Sequence, residues 1–289
     1  MRLGREELVD RDATMRVGVM LLFSSLVMAS FLLQAIAQDA DRSTSKPTFD
    51  LQRAIERERR RLASVDPEIR RDAVMRLGVW HLPEAARAAA VALGDLDPSV
   101  RVAAMQAVLA LPADEAATLL IPLLQDRNEF VRQEAAYALG RTGSHLAVEP
   151  LIEALERDRK SGVRGAAAVA LGQIGDDRAA GPLIRTLERR FGSRNALGRL
   201  FGRTQPENEF VRRSAIRSLG KMKWRGAVPI LIEILNDERA EGDLRREAAY
   251  ALGLIGDRAA APALRAALSA RDPYLARIAF EALSRIGPG

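Results

Sequence analysis

The amino-acid sequence predicts an all-α protein, most of which is an array of stacked helical hairpins. Three observations lead to this prediction. Ala, Leu and Arg dominate the 289 residues, and aromatic residues make up only 4%. Val, Ile and Thr never alternate with polar residues over a long stretch, as they do in strands. A pattern of the form D-P-x-V-R-x-x-A-x-x-x-L-G recurs at nearly constant spacing.

An apolar segment near the start of the chain is typical of an export signal. Residues 17–37 are 21 positions without a charge, which is long enough to cross a hydrocarbon core at about 1.5 Å per residue. Ala35 and Ala37 precede Gln38 in the small-x-small pattern that signal peptidases cut. We therefore expect the repeats to be exported, periplasmic or extracellular, after cleavage near Ala37.

Two interpretations of this start remain open. If translation begins at Met15, residues 15–37 form a signal peptide and residues 1–14 are a mis-called start. If translation begins at Met1, residues 1–14 are a short cytoplasmic tail and the apolar segment is an uncleaved membrane anchor. Arg16 precedes the segment in both cases, with Arg2, Arg5 and Arg11 as well if Met1 is the start. The resulting positive-inside bias places the repeats outside the cytoplasm either way.

Two short elements connect the apolar segment to the repeats. Residues 38–48 are polar and contain Ser, Thr and Pro, so they predict a flexible linker. Residues 49–65 predict a helix, because Asp50 can cap its first turn and Leu51 and Ile55 share a face. We expect this capping helix to cover the open end of the array.

Seven copies of the pattern fill residues 66–289. They begin at Asp66, Asp97, Asn128, Lys160, Asn208, Gly242 and Asp272. The marker arginines are Arg70, Arg101, Arg132, Arg164, Arg212 and Arg245, and Ala276 stands at this position in the seventh copy. Successive arginines are 31, 31, 32, 48 and 33 residues apart, so one step contains an insertion.

Each copy predicts a hairpin of two helices. Asp or Asn at the first position supplies an N-cap, and the Pro that often follows suits the first helical turn. Ala three positions and Leu seven positions after the marker arginine predict a buried stripe. A glycine that adopts a positive φ is expected to end the first helix. The glycines at this position are Gly78, Gly140, Gly172, Gly220 and Gly253.

A hairpin of about 31 residues cannot bury its apolar face alone, so the copies must stack. Over residues 66–289 the pattern resembles the HEAT repeats of the phycobilisome-lyase-like (PBS lyase HEAT-like) type. The resemblance implies an armadillo-like α-solenoid, a right-handed superhelix of about six full repeats plus a terminal half repeat. This repeat type serves scaffolds, regulators and a few enzymes, so it implies the fold more than the function.

The resemblance also implies a ladder between repeats. In HEAT families the acidic and arginine positions of neighbouring repeats bond to one another. This implies structural roles for Asp66, Arg70, Asp97, Arg101, Arg132, Arg164, Arg212, Arg245 and Asp272. Asn128, Lys160 and Asn208 replace the aspartate in three copies. We therefore expect the ladder to be interrupted.

The insertion, residues 188–207, is the most basic part of the array. Its five arginines and two glutamates give a net charge of +3, half of the chain's +6. Arginine with aromatic residues is typical of binding hot spots and of anion sites. We expect a partner-binding site at Arg189, Arg190, Phe191, Arg194, Arg199, Phe201 and Arg203. The alternative is a loop whose apolar residues fold back on the neighbouring repeat.

Composition excludes several kinds of chemistry. The chain has no cysteine, which excludes disulfides, thiolate catalysis and cysteine metal sites. His81 and His145 fall in turns without a partner at metal-ligand spacing, so we expect no metal and no cofactor. Trp80 and Trp224 also fall in turns, as plugs of local gaps or as contact residues. Basic and acidic residues are interleaved, which indicates a solvated helical surface and not a nucleic-acid footprint.

These observations predict a non-catalytic protein-protein interaction scaffold, exported or membrane-tethered, that binds a protein partner on its solenoid surface. The membrane is a second contact if the N-terminal segment is uncleaved. One alternative is an anion-binding module that holds nucleic acid or acidic lipid through the insertion. Another is an enzyme related to the bilin lyases, for which the sequence contains no catalytic motif.

Overall fold

The structure is a computed structural model, and it describes residues 50–188, 190–192 and 204–287. The predicted start, export segment and linker, residues 1–48, lie outside this part of the chain, as do residues 193–203 of the insertion. No helix among the described residues is both long and apolar enough to span a bilayer.

Six helical hairpins and a terminal helix make up the described repeats. We call the first helix of a hairpin its A helix and the second its B helix. The A helices are α2 (Pro67–Val79), α4 (Pro98–Val108), α6 (Glu129–Thr142), α8 (Ser161–Ile174), α10 (Glu209–Lys221), α12 (Gly242–Ile255) and α14 (Pro273–Ile286). The B helices are α3 (Pro83–Ala90), α5 (Ala113–Leu120), α7 (Val148–Arg157), α9 (Ala180–Glu188), α11 (Val228–Asn236) and α13 (Ala261–Ala267).

The hairpins stack in chain order, which confirms the predicted α-solenoid. Each A helix packs against the A helices of the adjacent repeats, and each B helix packs against the A helix of the next repeat. One continuous cluster of buried apolar side chains consequently runs from Ala86 to Ala282. The stacked hairpins together bury the apolar faces that a single hairpin would leave exposed.

Helix α1 covers residues 50–61 and precedes the first hairpin. Glu58–Gly289 form one compact unit, so only the last turn of α1 belongs to the unit that contains the repeats. In that turn Arg61 forms ion pairs with Glu58 at 2.8 Å and with Asp72 of α2 at 2.7 Å. The end of α1 is thereby attached to the first A helix.

The N-caps and the buried stripe lie where the sequence predicts them. The side chains that accept a backbone N–H in the first turn of an A helix are Asp66, Asp97, Asn128, Asn208 and Asp272. The alanine three positions after the marker is fully buried in each copy, at residues 73, 104, 135, 167, 215, 248 and 279. The apolar residue seven positions after the marker is buried in six copies, and Leu283 of α14 is half-buried.

The prediction that a glycine of the pattern ends each A helix is wrong. Gly78, Gly140, Gly172, Gly220 and Gly253 all lie inside their A helices. The left-handed conformation occurs three residues later, at His81, Gly143, Gly175, Lys223 and Gly256. The glycines of the pattern have no left-handed φ and instead face the next A helix. A Cβ on Gly253 would lie 2.7 Å from the Cβ of Ala282.

Strands occur in the described residues only at the base of the insertion. β1 (Arg190–Gly192) pairs antiparallel with β2 (Thr204–Pro206), with Arg190 opposite Pro206 and Gly192 opposite Thr204. Since α10 packs against both α8 and α9, the two ends of the insertion must return to the same edge of the array. The two short strands pair at the base of the insertion, and the core itself consists of helices.

Candidate functional site

The predicted partner-binding residues of the insertion lie outside the described side chains. They are Arg189, Arg190, Phe191, Arg194, Arg199, Phe201 and Arg203. The structure describes only the backbones of Arg190 and Phe191, in β1. Their role stays a prediction, and the candidate site comes from the repeats themselves.

A ladder of ion pairs connects the first repeats through their marker arginines. The Arg70 guanidinium binds both carboxylate oxygens of Asp95, at 2.6 and 2.7 Å. The same bidentate arrangement, at 2.6–3.2 Å, joins Arg132 to Asp158 and Arg164 to Glu207. Arg101 donates from Nη2 to Asp126 at 2.9 Å, and its Nε lies 2.8 Å from the other carboxylate oxygen. Each carboxylate lies in the loop that leads into the next A helix. The ladder therefore fixes the spacing between consecutive repeats.

Each rung also holds backbone groups. Nη1 of Arg101 donates to the carbonyl of Asp95 at 2.7 Å, and the Asp95 carboxylate accepts the N–H of Asp97 at 2.8 Å. The hydrogen bond from Arg70 holds the pKa of the Asp95 carboxyl below its ordinary value. The N–H donors of these guanidinium groups already bind loop carbonyls and a carboxylate. These arginines therefore stabilise the fold and do not face a ligand.

The carboxylates of the ladder differ from those that the resemblance implied. Asp66, Asp97 and Asp272 are N-caps, and the partner acid precedes the N-cap by one or two residues, as Asp126 precedes Asn128. Replacement of the N-cap aspartate therefore leaves the rung intact. The expected interruption is absent from the first four repeats, whose arginines all have a carboxylate partner.

The sixth marker arginine, Arg245, lies in a different arrangement. Arg245 donates from Nε to the carbonyl of Leu235 at 2.9 Å, and Arg212 is half-buried near the start of α10. Asp272 caps α14 and also binds Arg246, the residue after the marker, at 2.7 Å. The sixth copy thus departs from the arrangement of the first four.

Trp224 and His145, two of the aromatic residues predicted in turns, have local partners. Trp224 packs against the core cluster, and Trp80 is half-buried at the end of α2. Nδ1 of His145 lies 2.6 Å from the Asp176 carboxylate, which Arg178 also binds at 2.8 Å. Hydrogen bonds from Arg178 and then from His145 lower the pKa of Asp176. In the described part of the chain, no group of three His, Asp or Glu side chains could hold a metal ion.

An open groove of about 580 Å³ crosses the A helices of the last repeats, α10, α12 and α14. We call it the A-helix groove. It is lined by Arg213, Arg217, Lys221, Asp243, Arg246, Glu247, Tyr250, Leu254 and Ile278. Its arginines, lysine and tyrosine stand one, five or nine positions after the marker arginine. These positions share the outward face of an A helix, because residues four apart lie one above the other.

Ion pairs order the side chains along the A-helix groove. Arg217 binds both oxygens of Glu247, at 2.8 and 2.6 Å. Arg213 and Arg246 bind the two oxygens of Asp243, at 3.0 and 2.8 Å. The pairs of Arg213 and Arg217 join α10 to α12, and the pair of Arg246 joins two turns of α12. The arginines are therefore held in fixed positions at the surface, where their hydrocarbon stems and remaining N–H groups stay accessible.

Two tyrosines carry a guanidinium on their ring faces. Arg246 lies over the ring of Tyr274 at 5.3 Å, and Arg285 lies over the ring of Tyr250 at 5.2 Å. Tyr250 is 38% exposed in the middle of the groove. Such stacking is favourable and restricts the long arginine side chains. The groove thus presents ordered aromatic and cationic groups to solvent.

The same face is far less charged in the earlier repeats. At positions one, five and nine after the marker, repeats one to four carry two cations, Arg71 and Arg141. The last three A helices carry six, namely Arg213, Arg217, Lys221, Arg246, Arg277 and Arg285. This site was not predicted from the sequence, because all three positions fall on unspecified or peripheral places of the pattern. Aligning the copies in register and comparing those positions would have found it.

Comparison with known proteins supports the repeat assignment. The family of HEAT repeats matches residues 59–140, 88–172, 117–189 and 238–288, which together are more than half of the chain. The family of PBS lyase HEAT-like repeats matches residues 211–237, which include α11 and most of α10. No curated protein matches the chain.

Several solved structures have a similar fold. An engineered protein is 21% identical with a TM-score of 0.50, over 81% of this chain and 68% of that chain. A mutant of Kap121p is 18% identical with a TM-score of 0.51, over 76% of this chain and 25% of that chain. The complex of CpcE and CpcF of phycocyanin lyase from Nostoc sp. PCC7120 gives 24% identity and a TM-score of 0.47, over 79% and 86%.

At these identities the two structures with TM-scores of 0.50 and 0.51 show the fold alone. The recurring pattern, the stacked hairpins and the family match over more than half of the residues agree with one another. The chain belongs to the HEAT-repeat family.

Proposed function

We propose that this chain is a non-catalytic scaffold that binds a protein partner through the A-helix groove. The observation that carries the proposal is the concentration of ordered arginine and tyrosine side chains on three adjacent A helices. Tyr and Arg are the residues that most often dominate binding energy at protein interfaces, because they combine large contact area with hydrogen bonding. HEAT repeats offer a broad, regular surface for such contacts.

The arrangement of the groove favours binding over catalysis. Arg213, Arg217 and Arg246 are paired with carboxylates, so the groove has charges in compensated pairs. A general acid or base needs a pKa near the working pH. The pKa of the Arg217 guanidinium is instead raised above its ordinary, already high value by the hydrogen bond to Glu247. This arrangement suits recognition of a complementary surface.

A photo-crosslinking experiment tests the proposal. A photo-reactive phenylalanine analogue is placed at Tyr250 of the full chain and, as a matched control, at Tyr137, which has the same register in the third repeat. We expect a discrete protein adduct from position 250 in cells that produce the chain naturally, and none from position 137. Equal adducts at both positions, or none at position 250, would contradict the proposal.

We also propose that the scaffold is exported or tethered to a membrane. The support is the uncharged segment at residues 17–37 with the small-x-small pattern before Gln38. Mass spectrometry of the mature N-terminus tests this proposal. A start at Gln38 indicates cleavage, and an intact segment in the membrane fraction indicates an anchor. An intact segment in the cytoplasmic fraction would rule out both.

A further inference from the structure

We infer that the partner segment seated in the A-helix groove is an acidic peptide with an apolar side chain between its carboxylates. This inference rests on the proposed function and adds the chemistry of the partner. The subsite consists of two cations, Lys221 and Arg285, and of an apolar floor, Tyr250 with Leu254 and Ile278. These residues lie on α10, α12 and α14.

Lys221 lines the groove and Arg285 adjoins it over the Tyr250 ring, and both differ from the groove's other basic residues. The groove's own carboxylates are already bound, Asp243 by Arg213 and Arg246, and Glu247 by Arg217. Lys221 and Arg285 are exposed and form no ion pair with any described residue. An incoming carboxylate therefore finds its electrostatic complement at these two side chains.

Close packing of the A helices brings the two cations to one end of the groove. They occupy the ninth position after the marker position of their copies, Lys221 beside Gly220 and Arg285 beside Ser284. There a Cβ on Gly220 would lie 2.8 Å from the Cβ of Ala251, and a Cβ on Gly253 would lie 2.7 Å from that of Ala282. The backbones of α10, α12 and α14 consequently approach each other at this end, which places Lys221 and Arg285 on opposite sides of α12.

The apolar floor lies between the cations. Leu254 and Ile278 are half-buried, and Tyr250 exposes 38% of its surface. Arg285 rests on the Tyr250 ring at 5.2 Å, so its charge is held at the edge of the floor. A peptide that places a Leu, Phe or Tyr on this floor would bring flanking carboxylates to the two cations. Burial of the apolar side chain supplies affinity, and the charges fix the register.

The carboxylates of the groove favour a peptide over a nucleic acid. Asp243 and Glu247 interrupt the line of cations, and Glu209 lies at the other end. A nucleic-acid backbone carries a charge at every step and needs a continuous basic surface. Discrete peptide carboxylates need only the two cations at one end.

The test uses a random dodecapeptide phage library selected on the immobilised full chain. We expect enriched peptides to carry Asp or Glu on both sides of an apolar residue. A synthetic copy of such a peptide, labelled for fluorescence anisotropy, should bind the Lys221→Glu/Arg285→Glu variant at least about tenfold more weakly. Binding should also weaken with added salt, because the charges are exposed. Arg141→Glu, the same register position in the third repeat, is the matched control and should leave affinity unchanged.

Several outcomes would overturn the inference. These are neutral or basic enriched peptides, no enrichment at all, equal affinity for the double variant, or tighter binding of a single-stranded oligonucleotide. Circular dichroism of the variants checks that both charge reversals leave the helices intact. If the inference fails while the adduct at position 250 persists, the groove still binds a protein of other chemistry. If that adduct is absent, the proposed function itself fails.

Discussion

His81 and Lys223 have a backbone conformation that ordinarily belongs to glycine. Their φ angles are 51° and 52°, and both stand eleven positions after a marker arginine. At the equivalent place Gly143, Gly175 and Gly256 have φ angles of 68–74°. A side chain with a Cβ is strained in this region, whereas glycine adopts it freely. The repeat geometry requires a left-handed turn at this position, and at His81 and Lys223 that conformation costs backbone strain energy.

We expect His81→Gly and Lys223→Gly each to stabilise the protein by about 1 kcal/mol, because the strain of the left-handed conformation is removed. Gly143→Ala is the control. A Cβ there meets nothing within 4 Å, so its loss of stability reports backbone strain alone. Urea titrations followed by circular dichroism measure the midpoints. Lower midpoints for both glycine variants would show that the side chains contribute more than the strain costs.

The rung between Arg164 and Glu207 is the most buried of the ladder. The two side chains are 8% and 0% exposed, and their atoms are 2.9 and 2.6 Å apart. Arg164→Leu leaves a buried carboxylate without its guanidinium, so we expect a loss of about 3–5 kcal/mol. Arg87→Leu, which removes an exposed pair with Glu115, should change the urea midpoint little. A similar midpoint shift for the two variants would contradict the structural role of the rung.

Contact between A helices depends on the glycine eight positions after the marker. Helical propensity favours alanine over glycine at such a position by about 1 kcal/mol. Glycine nevertheless stands at residues 140, 172, 220 and 253, where a Cβ would lie under 3.0 Å from the next A helix. Packing between elements therefore decides the residue, against the preference of the isolated helix.

Gly253→Ala is expected to destabilise the protein by about 1–3 kcal/mol, because the added methyl would meet the backbone and Cβ of Ala282. Gly94→Ala is the matched control. Gly94 ends a short turn and has nothing within 4 Å of an added Cβ, so its effect should stay within about 0.5 kcal/mol. Thermal melts of both variants test this. Stabilisation by Gly253→Ala would show that α14 can shift away from α12.

Stability across the whole array should follow the number of neighbours that each helix has. Helix α8 packs between α6 and α10, whereas α14 packs against α12 and α13 and leaves Phe280 64% exposed. In solenoids each repeat contacts only adjacent repeats, so a helix with neighbours on one side opens more easily.

Hydrogen exchange measured by mass spectrometry should show faster amide exchange in α14 than in α8. The variant Leu275→Ala removes a buried side chain of α14 and should accelerate exchange there while α8 keeps its protection. Equal protection in the two helices, or loss of protection throughout the array in this variant, would mean that the molecule opens as a single cooperative unit.

Much of the fold could be predicted from the sequence because the pattern repeats. The N-caps at Asp66 and Asn128 and the buried alanines follow from local rules that each copy restates. The partners of the ladder could not be predicted in the same way. Asp95, Asp126 and Glu207 lie in loops outside the pattern, and their role depends on the distance between consecutive repeats. The A-helix groove was missed for a related reason, since its residues differ from copy to copy.

The sequence by itself determined the helical hairpins, their number and the face that each one buries, because helix capping and the spacing of apolar residues act over a few residues. Only the tertiary structure decided which carboxylates meet the marker arginines of the first four repeats and why glycine stands within the A helices. It also decided which cations beside Tyr250 form no ion pair with a described residue. These depend on how closely one repeat approaches the next, and that distance results from the packing of residues far apart in the chain.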